Sequence, residues 1–224
     1  MHELKHPYIA VQYENYTGFG GNQQSSESPS IQGFGCGLVA AADLLLYLSR
    51  WKSDAHCAEF EAFAKNPIDG RAYNRLLDSM RRRYFHIIPK SGMTGIGLMM
   101  GMELFFMRHK LPYSARWCFS SKDIWARIEE MLENDIPVII SVGPNLPLIH
   151  KKQKALFYRR VNDGSLVPQF SANSHFMTVT AMDDETLEVS SWGKRLFIKK
   201  TEFVEFAEKH SFGFLCNILY VGHK

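Results

Sequence analysis

An α+β domain is what this chain of 224 residues predicts, and three observations carry the prediction. Helix-forming segments occupy residues 35–142. Short strand-like runs at close spacing occupy residues 175–224. Between them in importance is Gly37 to Trp51, a run apolar on nearly every side, which a helix tolerates only where it is buried. Helices first and strands second indicate segregated layers. The expected architecture is an N-terminal helical half whose buried central helix packs on a C-terminal antiparallel sheet, in one domain spanning 1–224.

Taken in order, residues 1–34 read as a loop-rich segment. Gly, Asn, Gln and Ser crowd residues 11–35, and Gly20-Gly21-Asn22 and Ser28-Pro29-Ser30 are turn signals. The chain changes character at Gly35. Ala40-Ala41-Ala42 and Leu44-Leu45-Leu46 are strong helix formers within the buried run. Further helices are expected over Ala55 to Lys65 and Arg71 to Arg82, parted by Asn66-Pro67 and Asp69-Gly70. Another spans roughly Gly95 to Lys110, with Leu98, Met102, Phe105 and Phe106 on one side. Ser121 is placed to cap a helix over Asp123 to Glu133, whose Ile124, Ile128 and Leu132 recur at helical spacing. Pro137 then admits a short apolar strand, Val138 to Val142.

Residues 143–174 read as a long loop with a basic, aromatic middle, Lys151, Lys152, Phe157, Tyr158, Arg159 and Arg160. Loops of that length in a compact domain usually serve function. Strands follow over His175 to Ala181, Leu187 to Ser191, Arg195 to Lys199 and Phe214 to Val221. Asp183-Asp184 and Gly193-Lys194 supply hairpin turns. A helix over Thr201 to Lys209, capped by Thr201, precedes the last strand.

Composition narrows the function classes. Apolar residues make up 46% of the chain and the net charge is only +3, too mild for an electrostatic footprint on nucleic acid or a membrane surface. Arg81-Arg82-Arg83 reads as a solvated helix end. Met1 to Ala10 carries charges and a proline where a signal peptide has an apolar core, and no apolar run is long enough to span a bilayer. A soluble protein of the reducing cytoplasm is therefore expected. Cys36, Cys57, Cys118 and Cys216 lie far apart, with no paired spacing for zinc or a disulfide framework, so no metal is expected.

One cysteine sits in an unusual setting. In Gly33-Phe34-Gly35-Cys36-Gly37 a glycine-rich turn delivers a thiol to the first position of the buried helix. Unpaired N–H groups and the positive end of the helix dipole meet there, and both favour thiolate. The same N–H groups suit an oxyanion, and Gly35 lets substrate approach the backbone closely. A buried structural cysteine explains the motif equally well. A thiol at neutral pH needs a base, and His175 is the candidate, opening an apolar strand directly after the polar Ser171 to Ser174. Ser190-Ser191-Trp192-Gly193 ends the next strand, so Ser190 is expected beside the imidazole and Trp192 against the site.

Gly35-Cys36-Gly37 leading into an alanine-rich helix, His175 at a strand start, and Ser191-Trp192-Gly193 together resemble the papain-like cysteine peptidases, most nearly the bacterial C39-like peptidases. The resemblance runs from about Gly20 onward. It implies a papain-like fold with Cys36 as nucleophile, His175 as base and Ser190 where the family has an orienting Asn or Asp. Two departures stand out. Ser190 is short and neutral, so it stabilises an imidazolium less well. The family's oxyanion glutamine precedes the cysteine, and both Gln32 and Gln23 are candidates that spacing does not separate.

The function expected from this pattern is hydrolysis of a peptide or amide bond through a thioester. The substrate is a peptide or protein, and no metal or organic cofactor is required. The same residues also serve acyl transfer to an amine. The alternative from another class is a catalytically silent papain-like domain that binds a peptide or protein partner in the groove.

Overall fold

The computed structural model describes residues 1–120, 123–145 and 153–224. Strands β1 (His2–Glu3), β2 (Ala10–Gln12) and β3 (Thr17–Phe19) open the chain, followed by a 3-10 turn at Gln23–Ser25, α1 (Pro29–Phe34) and α2 (Cys36–Trp51). Next come 3-10 turns at Ser53–Ala55 and Ala58–Phe63, then β4 (Ile68–Asp69), α3 (Gly70–Arg83), α4 (Gly95–Arg108), β5 (Tyr113–Trp117), α5 (Ile124–Glu133) and β6 (Val138–Val142). The remainder is β7 (Ala155–Arg160), β8 (Leu166–Ala172), β9 (His175–Met182), β10 (Thr186–Ser191), β11 (Lys194–Lys199), α6 (Lys200–Lys209) and β12 (Ile218–His223).

The α+β class holds, with α2 packed on β9 of an antiparallel sheet. That sheet runs β5-β12-β6-β9-β10-β11-β7-β8, with β1 pairing the far end of β9. A small second sheet, β3-β2-β4, flanks it. Helix α2 is the hub of the core. Its Leu38, Leu44, Leu45, Leu46 and Leu48 are all buried, and each contributes roughly 1.5–3 kcal/mol of transfer free energy.

Several local expectations are corrected. Residues 11–35 are not a loop but hold parts of β2 and β3, a 3-10 turn and α1. The run Ala55 to Lys65 is 3-10 rather than α-helical. Its backbone is tied back onto α2, since Ser49 Oγ accepts from the Cys57 N–H and Arg50 donates to the Phe63 and Lys65 carbonyls, and 3-10 geometry suits such short pieces. Arg83 is not simply solvated, because it pairs with Glu59. Helix α6 starts at Lys200 without a side-chain cap, so Thr201 does not cap it. Ser121 lies outside the described residues.

The largest correction concerns 143–174. Within the described part, β7 and β8 form a hairpin that extends the sheet. Gly164, at φ +84°, and the Asp163 carboxylate, which accepts from the Ser165 N–H, make its turn. Pro168 is tolerated because β8 is the outermost strand, where a missing donor costs little. Strand β5 was not expected, and β12 begins at Ile218, leaving Phe214 outside it. Among the described residues, no helix is long and apolar enough to cross a membrane.

Candidate active site

Helices α1 and α2 are separated by Gly35 alone. A Cβ there would lie 2.5 Å from the Ile31 carbonyl oxygen, and the Gly35 N–H donates to that oxygen at 2.8 Å. Gly35 is thus demanded by the junction itself, and it does not line the cavity that Cys36 faces. Gly37 serves the packing of α2 on β9, since a Cβ there would meet Met93 Cε at 2.7 Å and Phe176 Cδ2 at 3.2 Å.

Cys36 and His175 line one cavity at the N-terminus of α2, together with Gln23, Asp43, Ser191 and Trp192. Its volume is about 10 Å³, on the scale of one water molecule. Three backbone N–H groups favour charge on the sulfur, those of Phe176, Gly37 and Cys36 itself. Phe176 directly follows His175, so the thiol lies against the peptide that carries the imidazole. Desolvation nonetheless outweighs these amides, and burial pushes the Cys36 thiol above its ordinary value. The expected acidic thiol is therefore corrected, because a helix terminus supplies a fraction of a charge while packing strips water from most of the thiol, although Cys36 as a residue is only half-buried.

His175 is buried on all sides that matter. Its ring stacks on Trp192 with centroids 4.0 Å apart and planes 11° off parallel, and Phe157 of β7 meets it edge-on at 6.1 Å. Burial pulls the imidazole down to about 3, so the ring is neutral. Among the described residues, no hydrogen bond joins it to the Cys36 sulfur. Its Nε2 lies 2.5 Å from Ser191 Oγ.

That contact corrects the placement of Ser190. Successive side chains of a strand point to opposite faces, and the β9–β10 register pairs Ser190 with Thr178 and Val189 with Val179. Ser191 consequently falls on the side of His175, Met177 and Val179. Ser190 falls with Thr178, still in the wall of the same cavity, and its hydroxyl donates to the Phe19 carbonyl at 2.7 Å and not to the imidazole. The Asp183-Asp184 turn and a bulge between Glu188 and Val189 set this parity. Sequence spacing cannot count a bulge.

The two glutamines separate cleanly. Gln23 is buried in the cavity wall, and its Nε2 donates to the Gln32 carbonyl at 2.8 Å. Gln32 turns away, its own Nε2 donating to the Ser26 carbonyl at 2.6 Å. Gln23 is the one that shares a cavity with Cys36.

Besides Ser191, two polar lining residues were missed. Asp43 is almost wholly buried on α2, and Thr178 is buried beside the Tyr8 hydroxyl. The signal for Asp43 was present: a lone carboxylate between Ala42 and Leu44 in an apolar helix must be satisfied from elsewhere in the fold.

Among the described residues, one cluster elsewhere brings metal-ligating atoms together, His2 with Glu129 and Glu133, across β1 and α5. Its two ring nitrogens lie 3.1 and 3.3 Å from the separate carboxylates of Glu129 and Glu133.

No family model matches the chain, and no curated protein matches it. Among solved structures, the chain is similar to the crystal structure of a Bacillus anthracis protein provisionally assigned as a C39-like peptidase. The identity is 13% and the TM-score 0.47, with 96% of this chain and 98% of that one covered. At that identity and score the likeness says nothing about chemistry, which the site's own residues must carry.

Proposed function

We propose that the chain is a cysteine hydrolase of peptide or amide bonds, of the C39-like kind, working through a thioester. The observation that carries this reading is the shared cavity of Cys36 and His175 at the N-terminus of α2. In the reaction, the Cys36 thiol gives its proton to His175 as the sulfur attacks the substrate carbonyl. The oxyanion is held by the Cys36 N–H and the Gln23 amide. His175 then protonates the leaving amine, and water attacks the thioester to free the acid and the thiol. Ser191 orients the ring through Nε2, the role first expected of Ser190.

The closed form is a resting state in this account. A raised thiol and a lowered imidazole leave both neutral, so the ion pair forms only after Trp192 and Phe157 part and water or substrate dipoles replace the apolar cover. The β7–β8 hairpin carries Phe157 and Phe170, both packed on Trp192, and is the element that must move.

The second reading is a silent domain that binds a peptide or protein partner. It is favoured by the neutral imidazole beside a thiol that burial raises. A fluorogenic peptide library separates the two. Hydrolysis by the wild type that disappears in Cys36→Ala supports the enzyme; turnover no greater than in Cys36→Ala leaves the binding domain.

A further inference from the structure

A buried carboxylate without a cation is expensive, and proteins keep one where it does something packing cannot. Asp43 is such a group. It is 1% exposed, two helical turns beyond Cys36 on α2, and it lines the Cys36 cavity. Its oxygens accept from the Tyr73 O–H at 2.6 Å, the Gly21 N–H at 2.9 Å and the Tyr8 O–H at 3.3 Å.

The Gly21 bond is the one that leads to Gln23, whereas the Tyr8 hydroxyl lies among Asp43, Thr178 and Ser190 on the sheet side of the cavity. Gly20 and Gly21 form the turn that enters the 3-10 segment bearing Gln23. Gly20 has φ +77°, and a Cβ on it would meet both Ser190 Oγ and Asp43 Oδ2. A Cβ on Gly21 would strike the Tyr73 ring. The turn is also held from the sheet side, where the Gly193 N–H donates to the Gly21 carbonyl at 2.9 Å and the Phe19 N–H donates to the Gly193 carbonyl at 2.9 Å. The glycines thus let the backbone press directly onto the carboxylate, two residues before Gln23.

We infer that Asp43 is a positioning residue for the proposed oxyanion glutamine: its carboxylate fixes the Gly20–Gly21 turn, and through that turn it sets Gln23 in the cavity beside Cys36. The inference rests on the reading of Cys36 and Gln23 given above. Burial pushes the Asp43 carboxyl up to about 6, against the pull of Tyr73, Gly21 and Tyr8. The titratable groups around it are Tyr8 before β2, Tyr13 after β2 and Tyr73 of α3, with Cys36 and His175 across the cavity. None is cationic at neutral pH. Protonation below about pH 6 therefore weakens the anchor on Gly21, since hydrogen bonds to a charged acceptor are about twice as strong as neutral ones.

The test uses Asp43→Asn, Tyr73→Phe, Gln23→Ala and the Asp43→Asn/Gln23→Ala double variant of the full chain. Amide exchange at Gly21 reads the turn directly and needs no substrate. Asp43→Asn is expected to speed that exchange about tenfold while β9 amides keep their protection, and in the wild type the same loss sets in below about pH 6. Turnover of the peptide found in the library screen reads the consequence. Asp43→Asn lowers kcat about tenfold with KM nearly unchanged, removes the acid limb near pH 6, and adds little in the Gln23→Ala background. Tyr73→Phe, which removes one donor to the carboxylate, moves that limb upward and serves if Asp43→Asn does not fold.

Gly21 exchange indifferent to Asp43→Asn, or to pH where only Tyr73→Phe folds, overturns the inference. So does an effect that multiplies with that of Gln23→Ala, as a merely structural loss would. If the wild type shows no Cys36-dependent turnover, the enzyme reading fails, and the exchange measurement still decides whether Asp43 holds the turn.

Discussion

The imidazole of His175 and the indole of Trp192 lie face to face, 4.0 Å apart, and Trp192 holds this position from a backbone with φ +51°. With Gly193 at φ +68°, the pair forms the β10–β11 turn in which both central residues have positive φ, a geometry matched to strand twist but suited to Gly or Asn. A left-handed residue with a side chain costs about 1–2 kcal/mol. The stack on His175 and the contacts with Phe157 and Phe170 offset that cost and exclude water from the ring.

Trp192→Gly should therefore relax the backbone while opening the site. The expected outcome is a His175 titration moved up from about 3 toward its ordinary value, followed by NMR of the ring protons, and faster alkylation of Cys36 at neutral pH. An unchanged titration would mean that Trp192 is not what keeps the ring dry.

The two adjacent serines make opposite predictions. A hydrogen bond of about 1 kcal/mol corresponds to roughly a fivefold change, so Ser191→Ala should slow Cys36-dependent turnover by about that factor or more. Ser191→Asp, which supplies a charge to the imidazolium, should raise it. Ser190→Ala removes a bond to the Phe19 carbonyl and should appear in thermal stability without shifting the pH dependence of the thiol reaction.

Acid should destabilise the fold through His175. Its pKa falls from 6.5 to about 3 on burial, so the unfolded chain binds more protons between those values and stability is lost as pH drops through that window, by about 5 kcal/mol at most. Denaturant titrations of His175→Gln should lack this slope. Asp43 acts with the opposite sign: its folded value of about 6 lies above the unfolded 3.8, so its contribution falls as pH rises from about 4 to 6, by roughly 3 kcal/mol. Asp43→Asn should be relatively more stable at neutral pH than at pH 4, the opposite of what a stabilising carboxylate would give.

Much of this fold is legible in the sequence because burial and periodicity coincide there. The apolar run after Cys36, the amphipathic spacing in α5 and the short runs of β9 to β11 each match one element within a residue or two. The hairpin β7–β8 was hidden because its polar, basic outer face and Pro168 look like loop. Nor does burial alternate along β7, since Phe157 and Tyr158 are both buried on either side of a register shift. In the site, the residue types and order of Cys36, His175 and Trp192 were readable. The choice of Ser191 over Ser190 depended on a bulge, and that of Gln23 over Gln32 on the path of α1. The acidity expected of Cys36 failed for a different reason, since local sequence reports the helix dipole but not the desolvation that outweighs it.

The pairing of Cys36 with His175 is tested most directly by intact-protein mass spectrometry after brief exposure to a peptidyl haloketone at pH 7.5. Site mapping would follow in the wild type and in His175→Gln. A single adduct on Cys36, formed at least about tenfold more slowly in the variant, is the predicted result. Adducts spread over Cys36 and Cys118, both partly exposed, at rates indifferent to His175, would contradict it.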